Sequence, residues 1–109
     1  EGFGLAIINA MAAGLPVIVT GWGGQMDFCN ATNSLLIDYS LQPAGNFLYD
    51  CVDKCEVAIP DDEHLAQLMR TIYEDEDKRI QLGKMARETA KKFKWTASAQ
   101  LIVSSILEF

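Results

Sequence analysis

The sequence predicts an α/β fold, part of an open parallel sheet followed by C-terminal helices. Three observations carry this. Leu5–Ala13 reads as a helix leading into the β-branched run Leu15–Thr20, and Ser34–Asp38 is a second short apolar run. The first run, bounded by Pro and Gly, has the signature of a buried parallel strand, and the second reads as another strand. Beyond Pro60 the apolar period becomes helical and stays so. The 109 residues therefore divide into an α/β part, 1–59, and a helical part, 60–109, at about the size of one domain.

The elements follow in order. Leu5–Ala13 (LAIINAMAA) is apolar or small all round, as in a helix buried on most faces; Gly14 is placed to cap it and Pro16 prevents its continuation. Gly21-Trp22-Gly23-Gly24 is a loop at the end of the first strand, and Ser34–Asp38 (SLLID) is the second strand. Ser40–Lys54, with Pro43, Gly45 and no clean period, reads as an irregular excursion, and Cys55–Ile59 as a third short strand or a strand-like entry to the next helix. Leu65, Leu68, Met69 and Ile72 then keep helical spacing behind the acidic start Asp61-Asp62-Glu63, which suits a helix dipole. Glu74–Asp77 breaks the pattern. A second helix runs from about Lys78 with Leu82, Met85, Ala86, Thr89, Ala90 and Phe93 on one stripe and Lys91, Lys92 and Lys94 at its end. Thr96 is the expected cap of a last helix burying Ala99, Ile102, Val103 and Ile106. Two or three short strands fall short of a covered parallel sheet. The chain is therefore expected to be a fragment of a longer domain.

Composition narrows the function. Fifteen acidic against nine basic residues give a net charge of -6, which argues against nucleic acid as a partner. No run of about 18 apolar residues exists, so no transmembrane segment is expected. Lys54 is the first cation of the chain; anions in the first half must rely on backbone N–H groups or on cations from elsewhere. Cys29, Cys51 and Cys55 lack paired spacing and His64 is the one histidine. No metal site is expected, and the thiols read as reduced and structural, in keeping with a cytoplasmic protein. The triplet Asn30-Ala31-Thr32 is a formal glycosylation sequon that nothing else supports.

The chemistry concentrates at the start. Glu1-Gly2-Phe3-Gly4-Leu5 opens directly into a helix. Glycines there let a ligand approach the backbone, and a helix N-terminus favours phosphate. The stretch EGFGLAIINAMAAGLPVIVTGWGG resembles the C-terminal domain of retaining, nucleotide-sugar-dependent glycosyltransferases of the GT-B fold, family four (group one). Ala10–Ile18 matches the family's A-M-A-x-G-x-P-V-I, Gly23-Gly24 its later G-G, and Asn33–Ile37 its N-G-L-L-V with Ser34 replacing Gly. The resemblance implies a partial Rossmann-like sheet. It makes Glu1 the catalytic acid at the sugar and places Gly2, Phe3, Gly4 and Leu5 on sugar and phosphates. Asn9 falls on the ribose. It further implies a nucleotide diphosphate sugar as donor substrate, no cofactor, an acceptor the sequence does not reveal, and an N-terminal domain outside this sequence.

One position departs from the pattern. The family has a second Glu where this chain has Asn9. Hydrogen bonds to a carboxylate contribute about 1.5–3 kcal/mol against about 0.5–1.5 for neutral ones, so a weakened nucleotide grip or an altered selectivity is expected. Asn9 also keeps open a second reading, a degenerate, non-catalytic scaffold or interaction module. The resemblance implies a discriminating feature: an Arg or Lys pair about 70–90 residues before Glu1, a distance consistent with two βα units, would favour the enzyme.

Overall fold

A computed structural model describes residues 2–44 and 55–108. Glu1, the stretch 45–54 with Cys51 and Lys54, and Phe109 lie outside the described residues. The order is α1 (Leu5–Ala12), β1 (Ile18–Thr20), a 3₁₀ turn (Gly24–Asp27), β2 (Leu35–Ile37), β3 (Tyr39–Pro43), β4 (Glu56–Pro60), α2 (Asp62–Glu74), α3 (Glu76–Ala90) and α4 (Trp95–Leu107).

α1 ends as its sequence dictates. Gly14, at φ +78°, turns the chain while its N–H donates to the Met11 carbonyl (2.9 Å) and the Leu15 N–H to that of Ala10 (3.1 Å). These paired bonds of a Schellman motif satisfy carbonyls the helix leaves open. β1 and β2 then pair in parallel, Ile18 opposite Leu35 and Thr20 opposite Ile37. Strand alternation puts Val17, Val19 and Leu36 on one face. That face shares a core with Ile8 and Met11 of α1, Phe28, Cys29, and Ala86 and Ala90 of α3. α2 packs against β1 and β2. α3 crosses close to the end of α1, where a Cβ at Gly83 would overlap the Gly14 carbonyl.

The expected α/β fold with C-terminal helices is present as a small parallel sheet, and several local expectations change. α1 is buried only at Ile8 and Met11 rather than on most of its faces. Tyr39–Pro43 is a strand, not an irregular start: it pairs antiparallel with β4, Tyr39 opposite Pro60. α3 begins at Glu76 because Asp75 caps it, its carboxylate accepting from the Lys78 N–H at 2.9 Å. Lys94, not Thr96, is the N-cap of α4. Ile102, Val103 and Ile106 are 61, 54 and 66% exposed rather than buried, since no described element packs over them.

Candidate functional site

The site is built where the chain enters α1 and where β1 ends. Gly4, the N-cap of α1, sits in left-handed backbone (φ +94°) with Ile7 and Phe28 side chains close by, so a larger residue is disfavoured on both counts. The first N–H groups of a helix have no intrahelical partner. Those of α1 carry no acidic side chain in the first turn.

The glycine loop 21–24 leaves the C-terminal end of β1 and abuts this entry. A Cβ at Gly24 would overlap the Gly2 carbonyl oxygen. The loop is tied by Gln25, whose side-chain amide donates to the carbonyls of Thr20 (2.9 Å) and Trp22 (2.8 Å). Gly23 takes φ +118°. Gly2, by contrast, has nothing within 4 Å of where its Cβ would stand. Trp22 is partly exposed, its ring 6.5 Å from that of Tyr39. Asp27, solvent-exposed, closes the 3₁₀ turn.

Three residues singled out by the sequence come together. Phe3, Leu5 and Asn9 line one groove of about 530 Å³ with Ile8 and Ala12; across it stand Ala90, Phe93, Lys94, Trp95, Ser98 and Leu101. Asn9 is exposed on that wall. Gly2 and Gly4 flank Phe3 in the entry loop, and Glu1 lies outside the described residues.

Several contributors were missed in the sequence. Lys94 looked like a charge at a helix end, yet it brings a cation to this groove. Asn33, 2% exposed, donates to the Phe28 carbonyl (2.7 Å) and the Thr89 hydroxyl (2.9 Å) and accepts from the Asn30 N–H (2.8 Å). It thereby joins the loop after the 3₁₀ turn to α3. Phe28 and Phe93 pack on Phe3, with ring centroids 5.1 and 6.2 Å from it. Only an aromatic residue near each element end signalled these contacts.

The remaining titratable candidates serve structure. His64 accepts the Asp38 N–H at Nδ1 (2.8 Å), fastening the end of β2 to α2. Burial pushes the Cys29 thiol up from the ordinary cysteine value, offset in part by a hydrogen bond with Ser34, so it is a poor nucleophile. Among the described residues no three His, Cys, Asp or Glu side chains converge as metal ligands. None of the described helices is long and apolar enough to cross a membrane.

Comparison with known proteins sets this geometry among relatives. No family model and no solved structure matches the chain. It is 29% identical over 102 residues to the sulfoquinovosyl transferase SQD2 of Arabidopsis thaliana, covering 94% of the chain and 17% of that protein. It is 28% identical over 101 residues to the D-inositol 3-phosphate glycosyltransferase of Corynebacterium kroppenstedtii, covering 92% of the chain and 18% of that protein. The chain thus spans less than a fifth of the length of these relatives. Over nearly its whole length it is similar to a segment of glycosyltransferases, as its opening motif indicates.

Proposed function

We propose that this chain is the donor-binding segment of a retaining glycosyltransferase, half of the C-terminal Rossmann-like domain of a GT-B fold. The enzyme moves a sugar from a nucleotide diphosphate donor to an acceptor held by an N-terminal domain. The reading needs no metal or other cofactor and places the protein in the cytoplasm, where unpaired Cys29 and Cys55 are at home. The observation that carries it is the convergence of Phe3, Leu5 and Asn9 on one groove that runs along α1 from its entry, in a chain alignable with two glycosyltransferases.

The chemistry follows from charge. Breaking a glycosyl–phosphate bond builds positive charge on the sugar and negative charge on the leaving diphosphate. Amide groups at the start of α1 are fixed before the reaction and stabilise the departing anion without reorganising. Gly2, with open space at its Cβ position, lets donor atoms close on the backbone. Glu1 faces the sugar, Gly4 and Leu5 the phosphates, and Asn9 the ribose.

Asn9 supports a second reading, a non-catalytic scaffold that binds partners through its helical half, whose α4 carries exposed apolar residues. A panel of nucleotide diphosphate sugars tested with the full-length protein for binding and hydrolysis decides between them. The enzyme binds and slowly hydrolyses at least one donor; the scaffold binds none. For the enzyme, Asn9→Glu tightens donor binding by about tenfold, since a charged acceptor adds about 1–2 kcal/mol over an amide. Equal or weaker affinity by calorimetry removes Asn9 from the ribose.

A further inference from the structure

The entry loop is held by a cluster of rings from three distant parts of the chain. Phe3 lies in the loop itself, Phe28 follows the 3₁₀ turn and Phe93 follows α3. Their centroids are 5.1 Å apart for Phe3 and Phe28, 6.2 Å for Phe3 and Phe93 and 5.8 Å for Phe28 and Phe93, all tilted or edge-on, within the preferred range for aromatic pairs. Phe28 is 3% exposed and belongs to the core, whereas Phe3 and Phe93 are 38 and 45% exposed. Asn33 reinforces the same junction by bonding both the Phe28 carbonyl and the Thr89 hydroxyl of α3. The end of α3 is therefore tied to the loop from outside the core.

We infer that Phe93 is a positioning residue: through Phe3 it holds residues 2–5 in the geometry that receives the donor. The inference deepens the donor-loop reading above and rests on it for its kinetic part. Phe93 stands outside the buried core cluster that holds Phe28, so its truncation acts on the loop more than on the whole. The loop is sensitive to such a change because a misplacement of about 1 Å at a reacting centre costs up to roughly a hundredfold in rate.

Two measurements on the full-length protein test this. In Phe93→Ala, hydrogen exchange of a peptide covering residues 2–8 rises roughly two- to tenfold, the loss expected for an aromatic pair, while peptides from α2 keep the wild-type rate. The donor kcat/KM falls about tenfold, and Phe93→Tyr, which keeps the ring, restores both. Because Phe93 also stands on the groove wall, the exchange of residues 2–8 is the readout that separates positioning through Phe3 from direct contact. A merely structural role instead speeds exchange across α1, α2 and α3 together. Should Phe93→Ala unfold, Phe93→Leu keeps apolar bulk without the ring and reads the same quantities. Unchanged exchange of residues 2–8, uniform acceleration, or a kcat/KM within twofold of wild type overturns the inference. A wild-type protein that turns over no nucleotide sugar removes the donor reading, and the exchange measurement then still decides whether Phe93 holds the loop.

Discussion

Two glycines of the candidate site have opposite surroundings, and that separates their roles. At Gly24 an added methyl group meets the Gly2 carbonyl, a backbone atom that cannot rotate away; at Gly2 it meets open space. Gly24→Ala therefore displaces the entry loop and destabilises by about 1–3 kcal/mol, the usual range for overpacking. Gly2→Ala stays within about 0.5 kcal/mol of wild type; under the proposed donor-loop reading it weakens donor binding, because the methyl group fills the open space beside that backbone. Urea unfolding and donor calorimetry on both variants check the pair. A Gly2→Ala protein that binds donor as tightly as wild type would show that no ligand closes on that backbone. Asn33 shows the same rule for a polar side chain. It is buried with its amide donating to two partners and its oxygen accepting from a third, so these bonds offset the cost of taking it out of water.

Among the elements, the joint between α2 and α3 shows most directly how local chemistry sets structure. Asp75 is both the last cap of α2 and the first of α3: its N–H donates to the Thr71 carbonyl (3.0 Å) and its carboxylate accepts from the Lys78 N–H (2.9 Å). Arg79 reaches back to the carbonyls of Ile72 (3.0 Å) and Tyr73 (3.2 Å), which the end of α2 leaves open. Asp75→Ala lowers the stability of the helical part by about 0.5–2 kcal/mol, and Asp75→Ser, which keeps an acceptor, recovers most of it; thermal denaturation followed by circular dichroism reads both. A similar loss in both variants would place the effect outside capping.

Elements of this kind were legible in the sequence because their signals are local. Gly14 and Pro16 end α1, Pro and Gly bracket β1, and the acidic start Asp61-Asp62-Glu63 marks the dipole end of α2, where Asp61 also proves to cap the helix by accepting from the His64 N–H (3.0 Å). Tyr39–Pro43 was not legible: every residue in it is exposed, so it shows no alternation, and its partner is the distant β4. The same distance hid the ring cluster of the site. Phe3 stood out through its motif, but its contacts with residues 28 and 93 depend on how α3 crosses α1. The start of α4 misled for another reason. Thr96 is the better capping residue, but Lys94 already has extended backbone at φ -107° and ψ 146°, and the helix begins one residue later without a side-chain cap.

At the scale of the whole molecule, shape explains why an apolar helix face stays in solvent. The principal extents are 49 × 43 × 17 Å and the radius of gyration 16.8 Å, against about 13 Å for a compact chain of this length. The accessible surface is 8213 Å², whereas a folded monomer of this mass exposes about 6,000 Å². A plate this thin has room for few layers, and α4 lies where nothing described covers Leu101, Ile102, Val103, Ile106 and Leu107, each more than half exposed. Contiguous apolar surface of this kind binds hydrophobic dyes. The 109-residue chain is therefore expected to enhance anilinonaphthalene sulfonate fluorescence under native conditions. Replacing Ile102 and Ile106 together by Lys should remove much of that signal. The same double variant should unfold within about 0.5 kcal/mol of wild type, because neither side chain supports the core and exposed substitutions away from special features change little. Cations near the C-terminal end of α4 also complement its dipole. A large loss of stability in the double variant would mean that the face is packed in solution; an unchanged dye signal would place the exposed apolar surface elsewhere on the plate.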